Sequence, residues 1–134
     1  MAMNLYFHFY QWREGKMIHV HGDKKGDMVM DSILTSIKKL LGIDETNTDF
    51  DGDIIIYING VIMTLTQLGQ ASFKITDKTE KWSDYLGEDS DLEAVKTYIY
   101  HKVRLIFDPS TNSNVLEAIK QQIQELEWRL ILQV

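Results

Sequence analysis

The spacing of apolar residues predicts helices over most of the chain. From Met30 to Leu41 the apolar positions recur every three or four residues, which is the period of one helix face. Asp31 favours the N-terminal end of this helix, and Gly42 favours a left-handed stop after it. A narrow stripe predicts a last helix after residue 114. Its members are Leu116, Ile119, Ile123, Leu126 and Leu130.

Capping patterns place two further helices in the middle of the chain. Asp77 with Glu80 three residues later predicts a short helix from Asp77 to Leu86, which Gly87 ends. Ser90 to Glu93 is a capping box that opens a longer helix. This helix ends at Asp108-Pro109, because the residue before proline disfavours helix. Its apolar stripe consists of Leu92, Val95, Ile99, Val103 and Ile106.

Residues 51–69 fit two structures equally well by pattern alone. Asn59-Gly60 is a preferred two-residue hairpin turn, and β-branched residues flank it on both sides. The apolar residues between Phe50 and Leu68 also step by three and four, and Gly69 suits a helix stop. Both a helix and a hairpin over 54–65 therefore remain open at this point.

The first 29 residues differ from the rest. Aromatic residues dominate 4–12, Arg13 to Lys16 suits a turn, and 17–21 alternate apolar and polar, so a β-hairpin is predicted. An alternative is that 1–29 are a non-native leader, translated from a purine-rich ribosome-binding site before a start codon at Met30. We therefore divide the chain into an N-terminal extension, 1–29, and a helical domain, 30–134.

Composition excludes several classes of protein. The chain of 134 residues has no cysteine, so disulfides and thiolate metal sites are excluded. No apolar run approaches the roughly 20 residues of a membrane span. The net charge of −6 comes from 30–134, which hold ten Lys and Arg against seventeen Asp and Glu, whereas 1–29 hold four against three. Such an acidic body disfavours tight binding of a phosphate backbone but allows DNA to pass nearby.

No residues form a convincing catalytic or metal site. His19 and His21 share a strand face, with Asp23 after them and His8 on the partner strand, but solvated surface histidines are the simpler interpretation. The serines lie in caps or at helix starts, and no phosphate-binding glycine loop is present. We assign no catalytic residue, no metal ligand and no cofactor.

Aromatic and apolar residues near the C-terminus are the candidate partner-binding residues. Tyr and Trp often anchor protein interfaces, and the apolar stripes account for a core without Tyr100 or Trp128. The apolar end of the chain is poorly suited to water. The candidates are Phe107, Asp108 and Pro109, and then Trp128, Arg129, Leu130, Ile131 and Leu132.

An ordered set of segments resembles the head–tail connector (adaptor) family of tailed bacteriophages. The resemblance starts near Met30 and rests on order, spacing and aromatic placement together. The leader of 29 residues departs from it. The matching segments are Asp53–Asn59, Thr66–Gly69, Trp82–Leu86, Leu92–Tyr100, Lys102–Pro109 and Glu125–Leu130.

The resemblance implies a mainly α fold, a small bundle of about five helices beside the predicted hairpin, and it favours a helix over 51–69. It implies a non-catalytic structural protein that forms a homo-oligomeric ring, twelvefold in many phages, beneath the portal protein and above a downstream neck or stopper protein. DNA would pass through the lumen without specific binding. The location would be the virion neck, after assembly in the bacterial host cytoplasm, with no membrane contact.

A second interpretation comes from a different class of protein. A small, acidic, cysteine-free single domain also suits a protein-binding module such as a toxin-immunity protein. An immunity protein would bind one cationic toxin and ignore portal rings, so a mass measurement with each partner separates the two interpretations.

Overall fold

The computed structural model describes residues 6–13, 16–23, 31–87 and 92–132. Side chains are described within these ranges from residue 31 to residue 131. Over these residues the fold is mainly α, with five helices, as the sequence predicts. The helices are α1 (Ile33–Leu40), α2 (Asp51–Gln67), α3 (Trp82–Leu86), α4 (Leu92–Phe107) and α5 (Ser113–Leu132). Two antiparallel strands precede them, β1 (Tyr6–Arg13) and β2 (Lys16–Asp23).

Helix α2 resolves the ambiguity over residues 51–69 in favour of a helix. Its buried face consists of Ile54, Ile58, Val61, Ile62 and Leu65. Asn59 makes no turn. Its Nδ2 donates to the carbonyl oxygen of Ile75 at 2.9 Å, and its Oδ1 accepts from the amide of Ile75 at 2.8 Å. The side chain thus fixes the segment after α2 against the helix, using both polar atoms of the amide.

Helices α1 and α3 begin later than the sequence predicts. Met30 lies outside the described residues, and Ser32 caps α1 by accepting from the Thr35 amide at 3.2 Å. Asp77 does not start a helix; its carboxylate accepts from Thr79, and Glu80 accepts from the amides of Thr76 and Asp77.

Extended pairing between two segments explains the late start of α3. The Ile33 amide donates to the Glu80 carbonyl at 3.0 Å, and the Trp82 amide donates to the Asp31 carbonyl at 3.1 Å. Lys81 between them is extended, with φ −112° and ψ 162°. Because these bonds hold residues 80–82 against the start of α1, the helix cannot form before Trp82.

The predicted helix ends are largely confirmed. Gly42 and Gly87 have φ of +84° and +65°, the left-handed region that favours glycine. Helix α4 ends at Phe107, immediately before Asp108-Pro109. The predicted capping box of α4 includes Ser90 and Asp91, which lie outside the described residues.

Helix α4 is central to the bundle because it packs against α1, α2 and α5. The predicted stripe of α4 is buried at Leu92, Val95, Ile99 and Val103, whereas Ile106 is exposed. Ile119, Ile123 and Leu130 of the α5 stripe close the core from the other side. All five helices contribute to this one core, since α3 adds Trp82 and Tyr85.

Candidate protein interface

The end of α5 exposes large apolar side chains on both sides of a buried leucine. Trp128 is 67% exposed and Ile131 45% exposed, and Arg129 between them is also exposed. Leu130 is fully buried and belongs to the core. Of the five candidate residues here, Trp128, Arg129 and Ile131 therefore form a surface, which we call the α5 end surface. The side chain of Leu132 lies outside the described positions.

The second group of candidates lies where α4 ends. Phe107 is half-buried and packs edge-on against Phe50, with ring centroids 5.3 Å apart and an interplanar angle of 75°. Asp108 and Pro109 are exposed. Phe107 thus anchors the turn that presents Asp108 and Pro109, and Phe50 itself remains 41% exposed beside it.

Two side-chain contacts fix α5 along α4. The Tyr98 hydroxyl donates to Glu127 Oε2 at 2.8 Å, and His101 Nε2 lies 2.6 Å from Gln122 Oε1. Burial raises the pKa of Tyr98, and the Glu127 carboxylate raises it further because it accepts this proton. Tyr98 therefore remains a hydrogen-bond donor at physiological pH. The contact holds the segment next to Trp128 on the N-terminal half of α4.

The structure separates the aromatic candidates into core and surface. Trp82 and Tyr98 are fully buried, and the Trp82 Nε1 donates to Ser36 Oγ at 2.8 Å. Tyr85 is buried and stacks on Phe73 with centroids 5.1 Å apart. Trp128 is the aromatic side chain that the described bundle leaves mostly in solvent.

A groove between α1 and α4 was not predicted from the sequence. It has a volume of about 210 Å³ and is formed where both helices end. We call it the α1–α4 groove. Its lining residues are Leu40, Leu41, Gly42, Tyr100, Arg104 and Asp108. They come from two segments that are far apart in the sequence, so no local pattern reveals the groove. The one pointer in the sequence was that Tyr100 falls outside the α4 stripe.

Lys38 is a buried charge that the sequence analysis also missed. It is 3% exposed, and its Nζ lies 2.8 Å from Asp51 Oδ1 and donates to the Asn47 carbonyl at 2.7 Å. This network joins the end of α1 to the start of α2. Lys38 lies four residues after Leu34 and three before Leu41, so its position in the sequence indicated the buried face of α1. Lys38 therefore has a structural role.

The carboxylates with shifted pKa values stabilise turns. Hydrogen bonds from Thr46 lower the pKa of Asp44, and hydrogen bonds from Thr79 lower that of Asp77. Each carboxylate accepts from a backbone amide two residues ahead, which is the geometry of an Asx turn. These shifts are explained by local structure and do not indicate acid–base chemistry.

The described residues contain neither a metal-binding cluster nor a membrane-spanning helix. Within 31–87 and 92–131, no three His, Asp or Glu side chains come together as metal ligands. None of the helices described above combines the length and apolar character that crossing a bilayer requires. The histidines considered as ligands lie in the strands, where the backbone pairing sets His8 opposite His21.

Comparison with known proteins identifies the family. The family model described as phage connector protein matches residues 33–134, from the first residue of α1 to the end of the chain. The chain belongs to the phage connector protein family. The match includes all five helices and starts close to Met30, where the resemblance in the sequence starts. No curated protein and no solved structure matches this connector significantly.

Membership of this family supports a structural role in a phage particle and indicates a protein that interacts with other head or tail proteins rather than an enzyme. The strands β1 and β2 lie before the matched region. The alternative that 1–29 are a non-native leader stays a prediction from the sequence alone.

Proposed function

We propose that this protein forms a ring beneath the portal and joins the capsid to the tail, without catalysis. The observation that carries the proposal is the family match over 33–134. The α5 end surface supports it, because a closed ring requires each copy to present an exposed surface to the next. The partners are then further copies of the chain, the portal protein, and a neck or stopper protein below. The site of action is the virion neck, after assembly in the host cytoplasm.

Charge fits a DNA passage through such a ring. The net charge of −6 gives a ring of many copies a strongly acidic character. Repulsion between acidic side chains and phosphates keeps DNA mobile, whereas clustered Lys and Arg would bind it. We therefore expect the lumen to carry DNA without specific binding.

The experiment is a mass measurement on the whole chain, alone and with the portal protein of its phage. We expect a ring or a portal-bound ring for the unchanged chain, and loss of that species for Trp128→Ala combined with Ile131→Ser. Point variants are used because a deletion after Glu127 would also remove the buried Leu130. Ile56→Ser is the matched control, because Ile56 is equally exposed but lies on α2.

The results separate this proposal from an immunity-type protein. A chain that stays monomeric and does not bind the portal would contradict the ring proposal. Normal assembly of the Trp128 and Ile131 double variant would place the interface elsewhere while leaving the connector role intact.

A further inference from the structure

We propose that neighbouring copies join head to tail by insertion of Trp128 of one copy into the α1–α4 groove of the next. This proposal rests on the proposed ring and names the two surfaces that make its repeating contact. The α5 end surface provides the inserted side chain, and the α1–α4 groove provides the receiving surface.

The shape of the groove suits an aromatic side chain. Leu40 and Leu41 form an apolar wall, and the half-buried Tyr100 adds a ring. The groove measures about 210 Å³. The indole of Trp128 is exposed in the isolated chain, and its insertion would remove a large apolar side chain from water.

The charges around the two surfaces are complementary. Arg104 lies in the groove, where its guanidinium can stack on an inserted indole, the aromatic ring that binds cations best. Glu125 lies beside Trp128 in a shallow surface depression, and Arg129 follows Trp128 in the sequence. In the proposed contact, Glu125 of one copy faces Arg104 of the next, and Arg129 faces Asp108. Among the residues that the structure describes, neither Arg104 nor Asp108 takes part in an ion pair.

The two surfaces lie at different positions along α4, which favours a contact between two different copies. The hydrogen bond between Tyr98 and Glu127 holds the end of α5 near the N-terminal half of α4. Arg104 and Asp108 lie further along α4, about 9 and 15 Å from Tyr98 at 1.5 Å per residue. The two surfaces share no residue. Each copy therefore presents both halves of the contact, which is a heterologous interface that can close into a ring.

The absence of native cysteine allows a direct test by disulfide cross-linking. A full-length Gln124→Cys chain, which keeps Trp128 and places a thiol beside it, is mixed with a full-length Leu40→Cys chain that carries a tag of different mass. Under mild oxidation we expect the mixed dimer to form about tenfold faster than in a mixture of Gln124→Cys with Ile56→Cys, because binding raises the effective concentration of the two thiols. Ile56 is a suitable control because it is at least as exposed as Leu40 but does not line the groove.

Charge reversal tests the same contact without cysteine. We expect Arg104→Glu to reduce assembly, and Arg104→Glu combined with Glu125→Arg to restore part of it. Cross-linking through Leu40 at the same rate as through Ile56 would overturn the proposal. So would a faster Gln124→Cys homodimer, since that is the product of an isologous contact.

Failure of this proposal can be distinguished from failure of the ring proposal. If the unchanged chain forms rings while the Gln124 and Leu40 pair cross-links no faster than the control pair, the insertion contact is wrong and the ring stands. If the unchanged chain is monomeric with and without the portal, the ring proposal fails and this contact fails with it.

Discussion

At the scale of single residues, Tyr85 carries a hydroxyl that is buried without a hydrogen-bond partner in the described structure. Burial raises its pKa to about 12. In the unfolded chain a tyrosine ionises near pH 10, so above that pH the unfolded state releases a proton that the folded state keeps. The free energy of unfolding therefore falls as pH rises between these values.

Replacing Tyr85 with Phe should change stability in two ways. At neutral pH we expect a gain of up to about 1 kcal/mol, because the variant removes a buried unpaired hydroxyl and keeps the ring stacked on Phe73. Between about pH 10 and 12 the unchanged chain should lose roughly 2–3 kcal/mol more than the variant. Urea unfolding at a series of pH values measures both. Tyr57→Phe on α2 is the control. The expectation is contradicted if Tyr85→Phe loses as much stability between about pH 10 and 12 as the unchanged chain does.

Asn59 shows where prediction from sequence stops at this scale. Next to Gly60 it is typical of a hairpin turn, and the spacing of apolar residues could not outweigh that pattern. The actual partner of its amide is the backbone of Ile75, 16 residues away. Because a contact of this separation leaves no local pattern, the spacing and the Asn-Gly turn were evenly balanced, and the family resemblance decided for a helix.

At the scale of secondary structure, Gly60 lies inside α2 on an exposed face. A Cβ at this position would have no heavy atom within 4 Å, and no positive φ constrains it. Gly60→Ala should therefore stabilise the protein by up to about 1 kcal/mol through helix propensity. Thermal unfolding measures the gain.

Two other glycines serve as controls for that change. Gly42→Ala and Gly87→Ala should destabilise, although both sites have equal space, because their φ values are +84° and +65°. A loss of stability in Gly60→Ala would contradict the expectation and would show that this face of α2 is covered in the protein as measured.

The short helix α3 shows why an element boundary could not be predicted. Asp77 and Glu80 have the spacing of a capping box, and their carboxylates do accept local amide hydrogen bonds. The helix nevertheless begins five residues later, because residues 80–82 pair with the start of α1. The local pattern identified the correct hydrogen-bonding residues and missed the competing tertiary pairing.

At the scale of the whole molecule, the sequence predicted half of the candidate interface. Trp128 was predicted to be exposed because the core stripes did not need it, and the structure leaves it in solvent. Leu130 was grouped with it, although it occupies the same stripe as Ile119 and Ile123 and is buried. The α1–α4 groove needed the structure, since its walls are brought together only when α1 packs on α4.

The core described here bears on whether 1–29 are needed for folding. Its side chains run from Ile33 to Leu130, and every helix contributes to it. A two-stranded hairpin is marginal by itself, so it adds little independent stability. A chain that starts at Met30 should therefore unfold in one cooperative transition, measured by circular dichroism during heating and in urea.

Two results decide the outcome for the shortened chain. The melting temperature of the shortened chain should lie close to that of the full chain. Leu130→Ala in the full chain should instead lower the free energy of unfolding by about 2–5 kcal/mol, because it leaves a cavity beside α4. If the shortened chain instead melts without a cooperative transition, the aromatic residues of 1–29 complete the core, and the N-terminal extension must be counted as part of the folded domain. A cooperative melt with unchanged ring formation would limit both folding and assembly to the matched region, 33–134.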